Sequence, residues 1–213
     1  MWVYFGVASI VGVIGYSTYQ LLLEQFQSLQ QQNEIQKKEE ELRLTKEKEK
    51  KLAALKKIKN LFLSDHLVID SNIWMHGDYD AFFQLLEKIL RKANRKIIIY
   101  GVQFDEICNI KSSHEYGSQK SKRARLAINR IENFQKNEIL KIETVSIKSE
   151  RWAYADPVVL KLLISLSKES HSVVFISNDK ELRIRARELV RSGQATTQVI
   201  GIEEIENDIA LGV

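Results

Sequence analysis

The sequence predicts an α/β domain with a central, mainly parallel sheet flanked by helices, preceded by a transmembrane helix and a long helical spacer. Three observations lead to this prediction. An uncharged N-terminal run is followed by a polar stretch free of Gly and Pro, and β-branched runs then alternate with amphipathic stretches. We divide the chain of 213 residues accordingly into a transmembrane anchor at 1–23, a charged spacer at 24–61 and a domain at 62–213.

Residues 2–23 contain no Asp, Glu, Lys or Arg, and a helix of that length spans a hydrocarbon core of roughly 30 Å. Aromatic residues stand near both ends, as interfacial anchors do: Trp2, Tyr4, Tyr16 and Tyr19. A secretory signal peptide is the competing interpretation, but no Lys or Arg precedes the run and no small-x-small cleavage site follows it. We therefore predict a single-pass anchor.

The spacer is dominated by Gln, Glu, Lys and Leu, all good helix formers. Its apolar positions do not sustain a heptad, so a solvated helix is favoured over a coiled coil. Ala8 and Gly12, in the preceding run, have a spacing that lets two membrane helices pack closely, which leaves a homo-oligomer as an open alternative.

The net charge of +4 is concentrated next to the uncharged run. Residues 37–60 hold ten Lys or Arg against five Glu, whereas residues 61–213 are nearly balanced. Because the basic excess lies on the C-terminal side of the uncharged run, we expect the C-terminal domain to be cytoplasmic. The single cysteine, Cys108, excludes an internal disulfide framework.

Short β-branched runs from residue 62 onward are the predicted strands, near 67–69, 96–102, 139–145, 172–177 and 196–202. Amphipathic stretches between them are the predicted helices, at 80–93, 119–134 and 157–170. This alternation is typical of a parallel sheet, whose functional crevice lies beyond the carboxyl ends of the strands.

Four acidic residues are placed to meet at that edge. Asp70 ends the first run, Glu106 follows the second, Asp156 precedes Pro157, and Asp179 comes just after the fourth run. Carboxylates brought together repel one another unless a cation is present, and hard oxygen ligands suit Mg²⁺ or Mn²⁺. Individually, Asp156 and Asp179 are also typical helix N-caps and Glu106 a typical solvated residue. The metal hypothesis therefore depends on all four together.

The sequence around these acids resembles the PIN-domain family over roughly residues 65–205. Four motifs occur in the family's order: LVIDSNIW at 67–74, VQFDEICNIK at 102–111, ADPVVLKLLI at 155–164 and VVFISNDKELRIRA at 173–186. One departure is that Pro157 occupies a position at which the family often has a second acidic residue.

The resemblance implies a Rossmann-like sheet and Mg²⁺- or Mn²⁺-dependent hydrolysis of phosphodiester bonds, usually in RNA. It makes Asp70, Glu106 and Asp156 the principal metal ligands, with Asp179 completing the catalytic site. Ser71 and Asn178 become candidates for supporting these ligands or contacting substrate.

Basic residues near the acids are candidates for phosphate contacts: Lys111, Lys120, Arg123 and Arg183. A solvated helix face is the alternative for the stretch 111–130. We thus expect a membrane-tethered endoribonuclease acting on single-stranded RNA. The alternative is a catalytically inactive PIN-like module that binds RNA or protein on a membrane-anchored stalk.

Overall fold

The computed structural model of the chain describes residues 2–143, 156–169 and 172–211, with the backbone alone at 2–24, 26, 27 and 156. Contacts divide the chain into two units, Met1–Lys50 and Lys51–Val213. A 61-residue helix, α1 (Trp2–Phe62), makes up the described part of the first unit and continues into the second. The predicted spacer is therefore helical, as its composition indicated.

In the part of the chain described with its side chains, no helix combines the length and apolarity needed to cross a membrane. The predicted transmembrane helix at 2–23 belongs to the backbone-only part of α1, so it lies outside the residues that this statement covers. The membrane anchor thus gains no support from the structure and stays a prediction.

The second unit alternates strands and helices, as predicted. Its strands are β1 (His66–Ile69), β2 (Ile97–Tyr100), β3 (Leu140–Glu143), β4 (Val173–Ser177) and β5 (Thr197–Gly201). Its helices are α2 (Ser71–Trp74), α3 (Asp80–Ala93), α4 (Gly101–Ser113), α5 (Gln119–Lys136), α6 (Asp156–Glu169), α7 (Lys180–Arg191) and α8 (Ile202–Ala210), with a short 3-10 helix at Gly77–Tyr79.

Every strand pairing in the described residues is parallel. The ladders form two sheets, of order β1–β4–β5 and β2–β3, rather than one continuous hydrogen-bonded sheet. β1 and β2 are nevertheless neighbours in space. The carboxyl ends of β1 and β4 meet in register, with Ile69 opposite Ile176, so the residues that follow them emerge at one edge, which is where a doubly wound fold forms its crevice.

The last turns of α1 belong to the core of the second unit. Ile58 and Phe62 are buried, and the Phe62 ring meets Phe82 edge-on with centroids 5.4 Å apart. Apolar residues at 54, 58, 61 and 62 lie on one helical face, the spacing expected of a helix packed on a core. The compact unit thus begins inside the helix, ahead of the residue 62 chosen from the sequence.

Arg130 of α5 hydrogen-bonds to the loop that follows α2. Its guanidinium is buried and donates to the carbonyl oxygens of Trp74 and His76, at 2.9 and 2.6 Å, and to the carboxylate of Asp80. Because buried carbonyl groups require donors, this one side chain fixes the backbone on one side of the crevice.

Candidate active site

Asp70 lies at the carboxyl end of β1 with its side chain almost fully buried, at 4% exposure. Its backbone N–H donates to Ile176 O at 2.9 Å, which extends the β1–β4 pairing by one residue. A buried carboxylate is unfavourable unless it accepts hydrogen bonds or meets a cation. The surroundings of Asp70 supply hydrogen bonds to both of its oxygens.

Two serine hydroxyls contact these oxygens. Ser177, at the end of β4 and fully buried, donates from Oγ to Asp70 Oδ2 at 2.7 Å. Ser71 Oγ lies 3.3 Å from Asp70 Oδ1 and 2.5 Å from Glu106 Oε2. Since a hydroxyl carries one proton, Ser71 donates to one carboxylate at a time and bridges the two.

Glu106 lies on α4 one turn after Gln103, and Gln103 fixes the start of that helix against β1. The buried amide of Gln103 donates to Ile69 O at 2.6 Å and accepts from Tyr100 N at 3.4 Å. Ile69 immediately precedes Asp70, so this amide links the backbone of one acid to the helix that carries the other. The link also crosses from the β1 sheet to the β2 sheet.

Asp179 joins the same network through its backbone, because its N–H donates to Ser177 Oγ at 2.9 Å. Its side chain caps α7, with Oδ1 accepting from Leu182 N at 3.0 Å. This is the N-cap arrangement weighed as the alternative from sequence. The carboxylate is half-buried and also lines the crevice.

Asp156 begins α6, and its side chain lies outside the described residues. Among the side chains that are described, no group of three or more His, Cys, Asp or Glu is placed to hold a metal ion. The donors that are present fit Mg²⁺ or Mn²⁺ in chemical type, since Asp70 and Glu106 offer carboxylate oxygens one hydroxyl apart.

A cleft of about 510 Å³ has Asp179 in its lining, whereas Asp70 and Glu106 do not belong to that lining. Its lining combines residues of α2, such as Asn72, and of the β4–α7 junction with the basic residues Lys120 and Arg123 of α5. The lining residues are Asn72, Met75, His76, Ile110, His114, Lys120, Arg123, Asn178 and Asp179. Positive and negative groups thus face one space large enough for a nucleotide segment.

Two of the basic residues singled out from sequence stand apart from this cleft lining. Arg183 is buried and donates to Ser177 O at 2.7 Å and to both carboxylate oxygens of Glu203, at 2.7 and 3.0 Å. Its guanidinium therefore stabilises the carboxyl end of β4, where Ser177 donates to Asp70. Lys111 is half-buried at the end of α4.

Two rings of the segment 76–79 pack together next to the cleft lining, to which His76 belongs. His76 and Tyr79 stack with ring centroids 4.4 Å apart, and Tyr79 also hydrogen-bonds the side chain of Asn178. Burial raises the pKa of Tyr79, while the hydrogen bond from Asn178 opposes that rise. The phenol therefore stays protonated at neutral pH beside a residue that lines the cleft.

Sequence reasoning missed Ser177 and Gln103. Each is a polar residue in an otherwise apolar stretch, and a buried polar side chain needs a partner. That signal could have marked both as participants in a network. Their partners could not be read from sequence, since Ser177 and Asp70 are 107 positions apart.

Comparison with known families supports the resemblance seen in the motifs. A family model described as PIN domain matches residues 67–190, more than half of the chain. A search of curated proteins found no match. The observed α/β fold with parallel strands agrees with this family, whereas neither a membrane nor a second copy of the chain as a partner gains support from it.

Proposed function

The chain belongs to the PIN-domain family, and from that premise we propose that it is a metal-dependent endoribonuclease. PIN domains are generally metal-dependent nucleases that use divalent ions and commonly bind RNA. The observation that carries the proposal is the hydrogen-bonded series Glu106, Ser71, Asp70 and Ser177 at the carboxyl edge of the sheet. It keeps two carboxylates together and continues through Ser177 to Asp179, which lines the same cleft as Lys120 and Arg123.

Asp70 and Glu106 would hold Mg²⁺ or Mn²⁺, together with Asp156 and Asp179. When bound, such an ion lowers the pKa of a coordinated water and neutralises charge on the phosphoryl group. The protein's own groups orient the ligands: Ser177 and Ser71 fix the Asp70 carboxylate, and such supporting hydrogen bonds tune metal affinity.

The remaining cleft residues bind the substrate backbone. Lys120 and Arg123 attract phosphates, and Asn178 offers an amide that can donate to a phosphate or sugar oxygen. Because these groups recognise phosphate and sugar, they hold an RNA segment without reading its sequence.

The test is cleavage of a fluorescent single-stranded RNA by the purified full-length chain in mild detergent, with Mn²⁺ or Mg²⁺. We expect Glu106→Gln and Asp70→Asn to abolish cleavage and EDTA to abolish it in the unchanged protein. Asp105→Asn is the matched control, since Asp105 neighbours Glu106 but is exposed, and it should retain full activity.

Activity that survives Asp70→Asn or EDTA would refute the metal mechanism. RNA binding of normal affinity without cleavage in any metal would instead favour the inactive binding module. Circular dichroism of each variant separates loss of chemistry from loss of fold.

Tethering is a separate part of the proposal. The run at 2–23 has no charged residue and precedes the basic stretch 37–60, which supports a single-pass membrane protein with a cytoplasmic C-terminal domain. Carbonate-resistant association with membranes, lost when residues 1–23 are deleted, is the expected result. Release of the intact chain by carbonate would refute it.

A further inference from the structure

The first two turns of α5 carry four basic side chains: Lys120, Lys122, Arg123 and Arg125. Within the described part of the chain, no ion pair is formed by Lys120, Lys122, Arg123 or Arg125. Further along the same helix, Arg130 pairs with Asp80 and Lys136 with Glu132. Basic residues at the start of α5 are thus without ion pairs in the described residues, whereas those at its end have them. Because both groups lie on the same helix, its basic composition alone does not explain this difference.

Helix stability does not explain the arrangement either. The N-terminus of a helix carries partial positive charge, so cations in the first turns are unfavourable and acidic residues are favoured. The first turn of α5 contains no acidic residue. An external anion would offset this repulsion, and Lys120 and Arg123 both line the cleft that Asp179 also lines.

An exposed aromatic ring lies in the turn between two residues of the cleft lining, His114 and Lys120. Tyr116 is 82% exposed, the highest value among the exposed large hydrophobic side chains of the described residues. The guanidinium carbon of Arg125 lies 4.5 Å from its ring centroid. Arg125 thus covers one face of the ring, and the high exposure leaves the other face open to solvent.

We propose that the open face of Tyr116, backed by Arg125, stacks on a base of a single-stranded RNA whose phosphates are bound by Lys120 and Arg123. This inference rests on the proposed nuclease function. It assigns the substrate strand a path over the protein surface, from the acidic residues past the start of α5. Stacking on an aromatic ring requires an unpaired base, whereas phosphate contacts do not. Tyr116 therefore selects single strands over duplexes.

The experiment measures fluorescence anisotropy of a short labelled oligoadenylate with the full-length chain in EDTA, so that cleavage does not occur. Tyr116→Ala should weaken binding about tenfold, the order expected for one stacked base. Tyr116→Phe, which keeps the ring, should bind as the unchanged protein does. A duplex of the same length and an oligonucleotide without bases should not distinguish Tyr116→Ala from the unchanged protein.

Equal affinity of Tyr116→Ala and the unchanged protein for oligoadenylate overturns the proposal. So does an equal loss of affinity for the oligonucleotide without bases, since that result would show a general distortion of the surface. Cleavage measured separately distinguishes the two proposals. Tyr116-dependent binding without any cleavage refutes the nuclease alone, whereas metal-dependent cleavage with unchanged binding in Tyr116→Ala refutes the stacking platform alone.

Discussion

Ser177→Ala removes one oxygen from the centre of the acidic network without changing the backbone. It deletes the donor to Asp70 Oδ2 at 2.7 Å and the acceptor of the Asp179 N–H at 2.9 Å. Ser177 is fully buried and Asp70 is 4% exposed, so water cannot readily replace the hydroxyl at the carboxylate. The substitution therefore leaves a buried, charged acceptor short of one donor.

A hydrogen bond to a charged group contributes ~1.5–3 kcal/mol, and the half-buried Asp179 N–H adds little because water can reach it. We expect the free energy of unfolding to fall by about 2 kcal/mol. For a domain of this size that corresponds to a decrease in Tm of roughly 4–8 °C. Losing such a supporting contact should also raise the Mn²⁺ concentration for half-maximal cleavage by ~10–100-fold.

Thermal unfolding followed by circular dichroism gives the first quantity, and Mn²⁺ titration of RNA cleavage gives the second. Ser192→Ala is the matched control, because the Ser192 hydroxyl is exposed and donates to Leu189 O at 3.2 Å; it should change neither quantity. If Ser177→Ala unfolds and titrates with Mn²⁺ as the unchanged protein does, the reasoning about Asp70 is refuted.

Two further predictions concern groups around the site. Gln103→Glu places an acceptor against Ile69 O in place of the amide donor. It should lower the free energy of unfolding by ~2 kcal/mol and also lower the rate of cleavage. Urea unfolding measures the first effect, with Gln84→Glu as the control because Gln84 is exposed. A urea midpoint equal to that of the unchanged protein would refute the prediction. Burial raises the pKa of Tyr100, with Glu143 and Glu169 adding to the rise. The protonated phenol therefore stabilises the fold below the unfolded-state pKa of about 10, and this contribution is lost as pH rises from there. Between pH 9 and 11 the unchanged protein should lose ~1.4 kcal/mol that Tyr100→Phe does not lose; parallel alkaline profiles would contradict it.

Much of the fold could be predicted because its elements have strong local signals. The helix Asp80–Ala93 was predicted at its observed bounds, since its apolar residues recur on one face and a positively charged last turn precedes Asn94, which adopts φ of 50°. The strands were predictable as β-branched runs. The division of the strands into two ladders was not, because pairing is decided between segments far apart in the chain and no local pattern encodes it.

The candidate site could be predicted less completely. Asp70 and Glu106 follow strand ends, and the structure places one hydroxyl between them. The role of Ser177 depends on a contact over 107 positions, which no local pattern encodes. Arg183 illustrates the converse, because its charge suggested phosphate binding, whereas in the fold it pairs with Glu203 and Ser177 O.

The burial of the final turns of α1 bears on how the domain can be produced in isolation. A fragment cut at residue 62 would lack Ile58 and Leu61, which are 0% and 5% exposed in the intact chain. Their removal would uncover apolar surface of the core cluster to which both belong, and exposed apolar patches promote aggregation. A soluble fragment should therefore begin ahead of Ala54, even though this places its first residues within a helix whose sequence resembles a linker.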